Sequence, residues 1–130
     1  EDPHYIEAKP SFIKALNQAD LYVQVGLELE IGYAPLLLSN AQNSKIQPSE
    51  QGYLDISRFI RPREIPTTTI DRSMGDVHAL GNPHYLLDPL NGLLATTAIY
   101  ERLSALSPQD ADYFQTRLPS HWPHTWRAWR

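Results

Sequence analysis

Apolar residues recur at helical spacing just after Pro10 and Ser11, where Phe12, Ile13, Ala15 and Leu16 lie within FIKALNQ. The pattern predicts a short helix, broken by Ala19-Asp20. The period then changes to two. Leu21, Val23 and Val25 alternate with Tyr22 and Gln24, so LYVQV reads as a strand that ends at Gly26. Apolar positions crowd again at Leu36, Leu37 and Leu38. A helix is expected to start there near Gly32–Pro35, because proline is tolerated in a first turn. Gln47 to Gly52 is a turn-rich connection, and YLDI is a second short strand.

From Arg61 to Pro83 no period is visible, and Pro62, Pro66, Gly75, Gly81 and Pro83 punctuate the stretch. About twenty residues without regular structure are uncommon inside a compact domain, and are usually functional or disordered. Helical order resumes with Asp88 as N-cap and Pro89 as first helical residue. Leu94, Ala98, Ile99, Leu103 and Leu106 form an apolar face, with Leu93 at its edge. Ser107-Pro108 repeats the cap-plus-proline signal, and Asp110 sits in a first turn where the helix dipole favours it. The last helix is expected to run to about Leu118, since Pro119 and Pro123 oppose its continuation. Helix, strand, helix, strand, long loop, helix, helix is the order of an α/β layer fold with a small parallel sheet. Two strands are few for a self-standing sheet, so the expectation is a piece of a larger α/β unit.

Composition narrows the function. The chain has 130 residues, 42% hydrophobic and 20% charged, which suits one domain with a real core. Its net charge is −4, without a block of like charge, which argues against a nucleic-acid-binding face. No apolar run approaches the ~20 residues of a membrane span. There is no cysteine, so a metal site has to use His, Asp, Glu and carbonyl oxygens.

Candidate chemistry centres on a repeated tripeptide, Pro3-His4-Tyr5 and Pro83-His84-Tyr85. Neutral imidazole is a good ligand for zinc, manganese, iron, copper and nickel. His4 precedes the first helix, and His84 closes the long loop before the next one. Open α/β sheets bind ligands in crevices lined by such loops. The prolines restrict the backbone and lower the ordering cost of binding. Asp88 follows His84 closely enough to orient a ring nitrogen, and GDVH adds Asp76 and His78. There is no HExxH and no tight histidine cluster, so spacing alone does not separate a ligand from an ordinary surface histidine.

Other constellations are weaker. Glu28 and Glu30 share a face only if GLELE is extended, which favours a solvated or helix-starting role over paired-acid catalysis. Ser39, Ser44, Ser57, Ser73 and Thr67 to Thr69 lack a nucleophile elbow. The tail HWPHTWRAWR holds Trp122, Trp126 and Trp129, with His121 and His124. Aromatics interleaved with arginine can stack bases, but a chain end packing its indoles on a nearby surface is the stronger reading.

Read together, two segments resemble a known family. DPHYIEAKPSFIKALNQADLYVQVGLELE and GDVHALGNPHYLLDPLNG are similar to the two signatures of the zinc/manganese substrate-binding proteins of bacterial ABC importers, the metal-binding lipoprotein and adhesin-like class. The order and spacing agree over roughly residues 2 to 118. The resemblance implies two α/β lobes joined by a long helix, with one metal in the cleft between them. The N-terminal lobe's two histidine ligands fall on His4 and His84, and the second lobe supplies the others. His78 falls in the loop bordering the site and is carried over as a neighbour. Asp88 matches the motif aspartate, as a helix cap or, with Asp76, as a group behind the ligands. The motif's usual tryptophan is Leu86 here.

The resemblance therefore implies a partial N-terminal lobe over 1–118, ending at the start of the inter-lobe helix. Residues 119–130 form an atypical tail in that helix's place. It implies a non-enzymatic protein that captures and releases Zn2+ or Mn2+, periplasmic or extracytoplasmic and lipid-anchored in its full-length form. Its partner would be the importer's permease. Two histidines leave zinc's coordination half open, so weak, exchangeable binding is expected. An exposed sheet edge invites a homodimer. Two alternatives stand beside this: a metal-dependent hydrolase using Asp76 or Asp88 as base, or a structural fragment that binds no metal.

Overall fold

Proline placement and strand alternation set the architecture of the computed structural model, which describes residues 6–67 and 78–118. Helix α1 spans Pro10–Asn17, with the proline in its first turn, and lies against α2, Ala34–Asn40, which also has a proline at its start. Strand β1, Tyr22–Gln24, pairs in parallel with β2, Tyr53–Asp55. The register sets Tyr22 beside Tyr53, Val23 beside Leu54 and Gln24 beside Asp55. Side chains on one face reinforce that pairing: the two tyrosine rings stack at 5.7 Å, and Gln24 Nε2 donates to Asp55 Oδ2 at 3.3 Å. A parallel pair needs a crossover, and the segment carrying α2 supplies it.

Leu54 points to the opposite face and is 1% exposed. It joins Ile56, Ile60, Ala95 and Ala98 in the core, with Leu21, Tyr85, Leu94 and Ile99 packed around them. Ala95 and Ala98 belong to α3, Pro89–Leu106. The deepest positions of α3 are Ala95, Thr97 and Ala98, whereas Leu94, Ile99, Leu103 and Leu106 are only partly buried. Small residues take the deepest places because they let the helix approach closely; the longer side chains flank the contact. Thr97 satisfies its hydroxyl on the Leu93 carbonyl at 3.0 Å. Arg102 Nη1 bonds the carbonyls of Gln51 and Tyr53, at 2.6 and 2.9 Å, and so fastens α3 to the start of β2.

The expected elements form where the pattern places them, with shorter ends. The second strand gives way at Ile56 to a 3-10 turn, Ile56–Phe59. The last helix, α4, spans Ala111–Thr116 and stops short of Leu118. Ser107 does not cap a backbone N–H there. Its hydroxyl donates to Asp110 Oδ2 at 2.6 Å, and a 3-10 turn, Pro108–Asp110, precedes α4. In the 61–83 stretch, 61–67 and 78–83 carry no helix or strand. Among the described residues no helix is long and apolar enough to cross a membrane. The tail, 119–130, lies outside the described residues.

Candidate metal centre

Strand β1 runs out at a turn that only glycine can begin. Gly26 has φ +84°, and a Cβ there would overlap the Asp55 carboxylate and the Ser57 hydroxyl. Leu27 and Glu28 continue in the left-handed region, at φ 51° and 68°. That conformation costs on the order of 1 kcal/mol per non-glycine residue. It is offset by what the turn buries: Leu27, Leu29 and the carboxylate of Glu30.

Glu30 corrects the expectation of a solvated or helix-starting role. Its Oε1 accepts from the Val25 N–H at 2.8 Å and its Oε2 from the Gly26 N–H at 3.0 Å. A carboxylate that accepts from two backbone N–H groups makes charge-assisted bonds, which outweigh neutral ones. Glu28 points elsewhere and accepts from the Ala79 N–H at 3.1 Å, next to His78. The two glutamates thus serve different neighbours, and no paired-acid arrangement results.

The same strand end receives the His84 turn. The Val25 carbonyl accepts from the Ser57 N–H at 3.1 Å and from the Tyr85 hydroxyl at 2.6 Å. Burial, and then the negative charges of Asp55 and Glu30, push the Tyr85 phenol well above its ordinary range, so it stays protonated as a donor. Asn91 Nδ2 donates to the Tyr85 carbonyl at 2.9 Å. Tyr85–Leu87 form a 3-10 turn that leads into α3. Asp88 Oδ1 accepts from the Leu90 N–H at 2.9 Å, so the cap is the role the geometry gives it.

Upstream, Gly81 has φ +110°, and a Cβ there would stand 2.9 Å from both the Arg63 carbonyl and Pro62 Cβ. Asn82 donates its N–H to the Arg63 carbonyl at 2.9 Å and its Nδ2 to Glu64 Oε2 at 2.7 Å. Its Oδ1 accepts from the His84 N–H at 2.9 Å. Gly81 and Pro83 are buried, while the intervening chain turns outward and His84 is exposed. The backbone around His84 is thus pinned while the residue itself is exposed.

Of the residues singled out from the sequence, His78, His84 and Asp88 are described; His4 and Asp76 lie outside the described residues. His78 and His84 sit on one loop, and the Gly81 N–H bonds the His78 carbonyl at 3.2 Å. Among the described residues no three of His, Asp, Glu or Cys gather as a metal cage. An open cavity of about 370 Å³ beside α2 is walled by Gln24, Glu28, Ile31, Leu38 and Tyr53. His84 is not on its wall. Sequence reasoning missed Glu30, Tyr85 and Asn82. Only Asn82 carried a local signal: an asparagine whose side chain bonds the backbone two residues on is a common turn former.

Comparison with known proteins follows the same residues. A family model described as ZnuA, the periplasmic component A of a zinc-uptake complex, matches residues 1–120. The metal ABC transporter substrate-binding lipoprotein SloC of Streptococcus mutans serotype c is 27% identical over 120 residues, covering 92% of this chain and 37% of its own length. The manganese ABC transporter substrate-binding lipoprotein PsaA of Streptococcus mitis is 24% identical over 121 residues, covering 93% and 37%. PsaA of Streptococcus pneumoniae serotype 4 gives the same figures, 24%, 93% and 37%. The chain spans about 37% of the length of these curated relatives.

Proposed function

This chain belongs to the periplasmic zinc-uptake component A family, and we propose that it is a metal-ion-binding part of an ABC-type metal uptake system. Its cargo is Zn2+ or Mn2+, held by His4 and His84, with His78 beside the site and Asp76 and Asp88 behind it. The observation that carries the reading is the exposed His84 on a backbone pinned to Val25, Arg63 and Glu64. The mechanism is capture and release. Neutral imidazoles donate lone pairs, no covalent bond is made or broken, and water fills the open coordination positions.

In this reading residues 1–118 are one lobe's share of the site and 119–130 a separate tail. The receiving partner is the importer's permease, and the protein works outside the cytoplasm, as the lipoprotein names of its relatives suggest. The outer edge of β1, where Val23 is 38% exposed, is where a second copy would pair. Sedimentation with and without zinc checks that pairing, and a monomer in both conditions discards it.

Titration calorimetry with Zn2+ tests the site. The parent chain is expected to release a saturable heat, and His4→Ala or His84→Ala to abolish it. If the double variant binds zinc as the parent does, the ligand assignment is wrong.

A further inference from the structure

Asn82 and Glu64 do something the metal reading alone does not require. Glu64 can only accept hydrogen bonds through its carboxylate, and the His84 N–H can only donate. The Asn82 carboxamide meets both: Nδ2 on Glu64 at 2.7 Å, Oδ1 on His84 N at 2.9 Å. Only one orientation of the amide satisfies both neighbours. Its own N–H adds the bond to Arg63. Glu64 also holds φ 55°, a strained conformation for a non-glycine residue that persists only when neighbours enforce it. Gly81 packs against Pro62 and Arg63 too closely for any Cβ. Glu64 and Asn82 are thereby clasped together, and the same Asn82 side chain holds the His84 N–H.

We propose that Asn82 and Glu64 are positioning residues for metal capture: they fix the His84 backbone before the ion arrives. This rests on His84 being a ligand. Clasping the loop beforehand removes an ordering cost that binding would otherwise carry. The consequence is specific. Breaking the clasp weakens metal binding while leaving the ligand set unchanged. Asn82→Asp keeps the acceptor for His84 but sets a carboxylate against Glu64, so the clasp opens by repulsion. Glu64→Gln added to it restores a donor opposite the new carboxylate, with the polarity of the bond reversed.

The test uses the full chain, Co2+ as probe, and amide exchange by NMR. The parent binds Co2+ with a d–d spectrum set by its ligands, and H84A loses that spectrum. N82D is expected to bind Co2+ about tenfold more weakly with band positions unchanged, as for other groups that support a metal ligand. The main-chain amide of residue 82, bonded to the Arg63 carbonyl at 2.9 Å while the clasp is closed, is expected to exchange about fivefold faster, as the loss of one hydrogen bond predicts. N82D/E64Q returns both toward the parent. Glu64→Ala, distant from the core, repeats the weakening without adding a charge. Parent-like Co2+ binding by both N82D and E64A, beside an H84A that binds none, overturns the clasp and leaves the ligand assignment standing. Faster exchange with unchanged affinity makes the clasp merely structural and overturns the proposal as well. An H84A that keeps the parent's spectrum and affinity overturns the ligand assignment, and the clasp's role with it.

Discussion

Between β2 and α3, Leu54, Ile56, Ile60, Ala95 and Ala98 are each 6% exposed or less, and apolar burial holds them together. In the 78–88 segment the ties are polar: Tyr85 to Val25 at 2.6 Å, Asn82 to Glu64 at 2.7 Å, Ala79 to Glu28 at 3.1 Å. The two kinds of support do different work. Apolar burial is large and has no preferred direction. A hydrogen bond is worth only about 1 kcal/mol net, but it fixes distance and angle. His84 is exposed while its backbone N–H is held by Asn82. Directional bonds achieve that without covering the residue. It follows that the core and the site should fail separately.

The largest expected effect is in the core. Leu54→Ala should lower unfolding free energy by about 2–5 kcal/mol, read from the urea midpoint. Below ~1 kcal/mol, Leu54 would not be the centre of the packing. Next comes Glu30→Ala, which strips two N–H groups of their acceptor and should cost about 1–3 kcal/mol. Glu30→Gln, keeping one acceptor, should cost less; equal losses would mean that burial, not bonding, explains the residue. Asp88→Ala should cost about 1 kcal/mol through the lost helix cap and, with the group behind His84 removed, weaken zinc binding about tenfold. A loss of zinc binding equal to that of H84A would assign Asp88 to the metal instead.

The smallest effect is in alkali. Burial first, then Glu30, raises the Tyr22 phenol, and burial with Asp55 and Glu30 raises Tyr85. The folded state therefore holds these protons more tightly than the unfolded chain. The contribution is complete below the ordinary tyrosine value of about 10 and is lost as pH rises from there toward the raised folded values. Denaturation midpoints taken at pH about 9 and about 10.5 should fall with pH, and fall less in Tyr85→Phe. Identical slopes would place the Tyr85 hydroxyl in water rather than against Val25.

Much of the frame was legible because its signals are local. Pro10, Pro35 and Pro89 mark three helix starts, Asp88 announces its cap, the alternation around Val23 marks the first strand, and YLDI reads as the second. His84 was legible as a residue type beside prolines. What holds it was not, because the partners are distant in sequence: Tyr85 reaches Val25, and Ala79 reaches Glu28. Glu30 misled for a related reason. Its role depends on a left-handed turn at Leu27 and Glu28, residue types that rarely adopt one. Ser107 looked like a cap, but an acidic neighbour, Asp110, captured its hydroxyl first.

The most direct measurement follows the five imidazoles by 15N NMR as Zn2+ is added. The account predicts saturable shifts of the ring nitrogens of His84 and His4, with those of His121 and His124 unmoved. Shifts at His121 and His124 while His84 stays unchanged would contradict it, placing the ion on the tail rather than on the clasped turn.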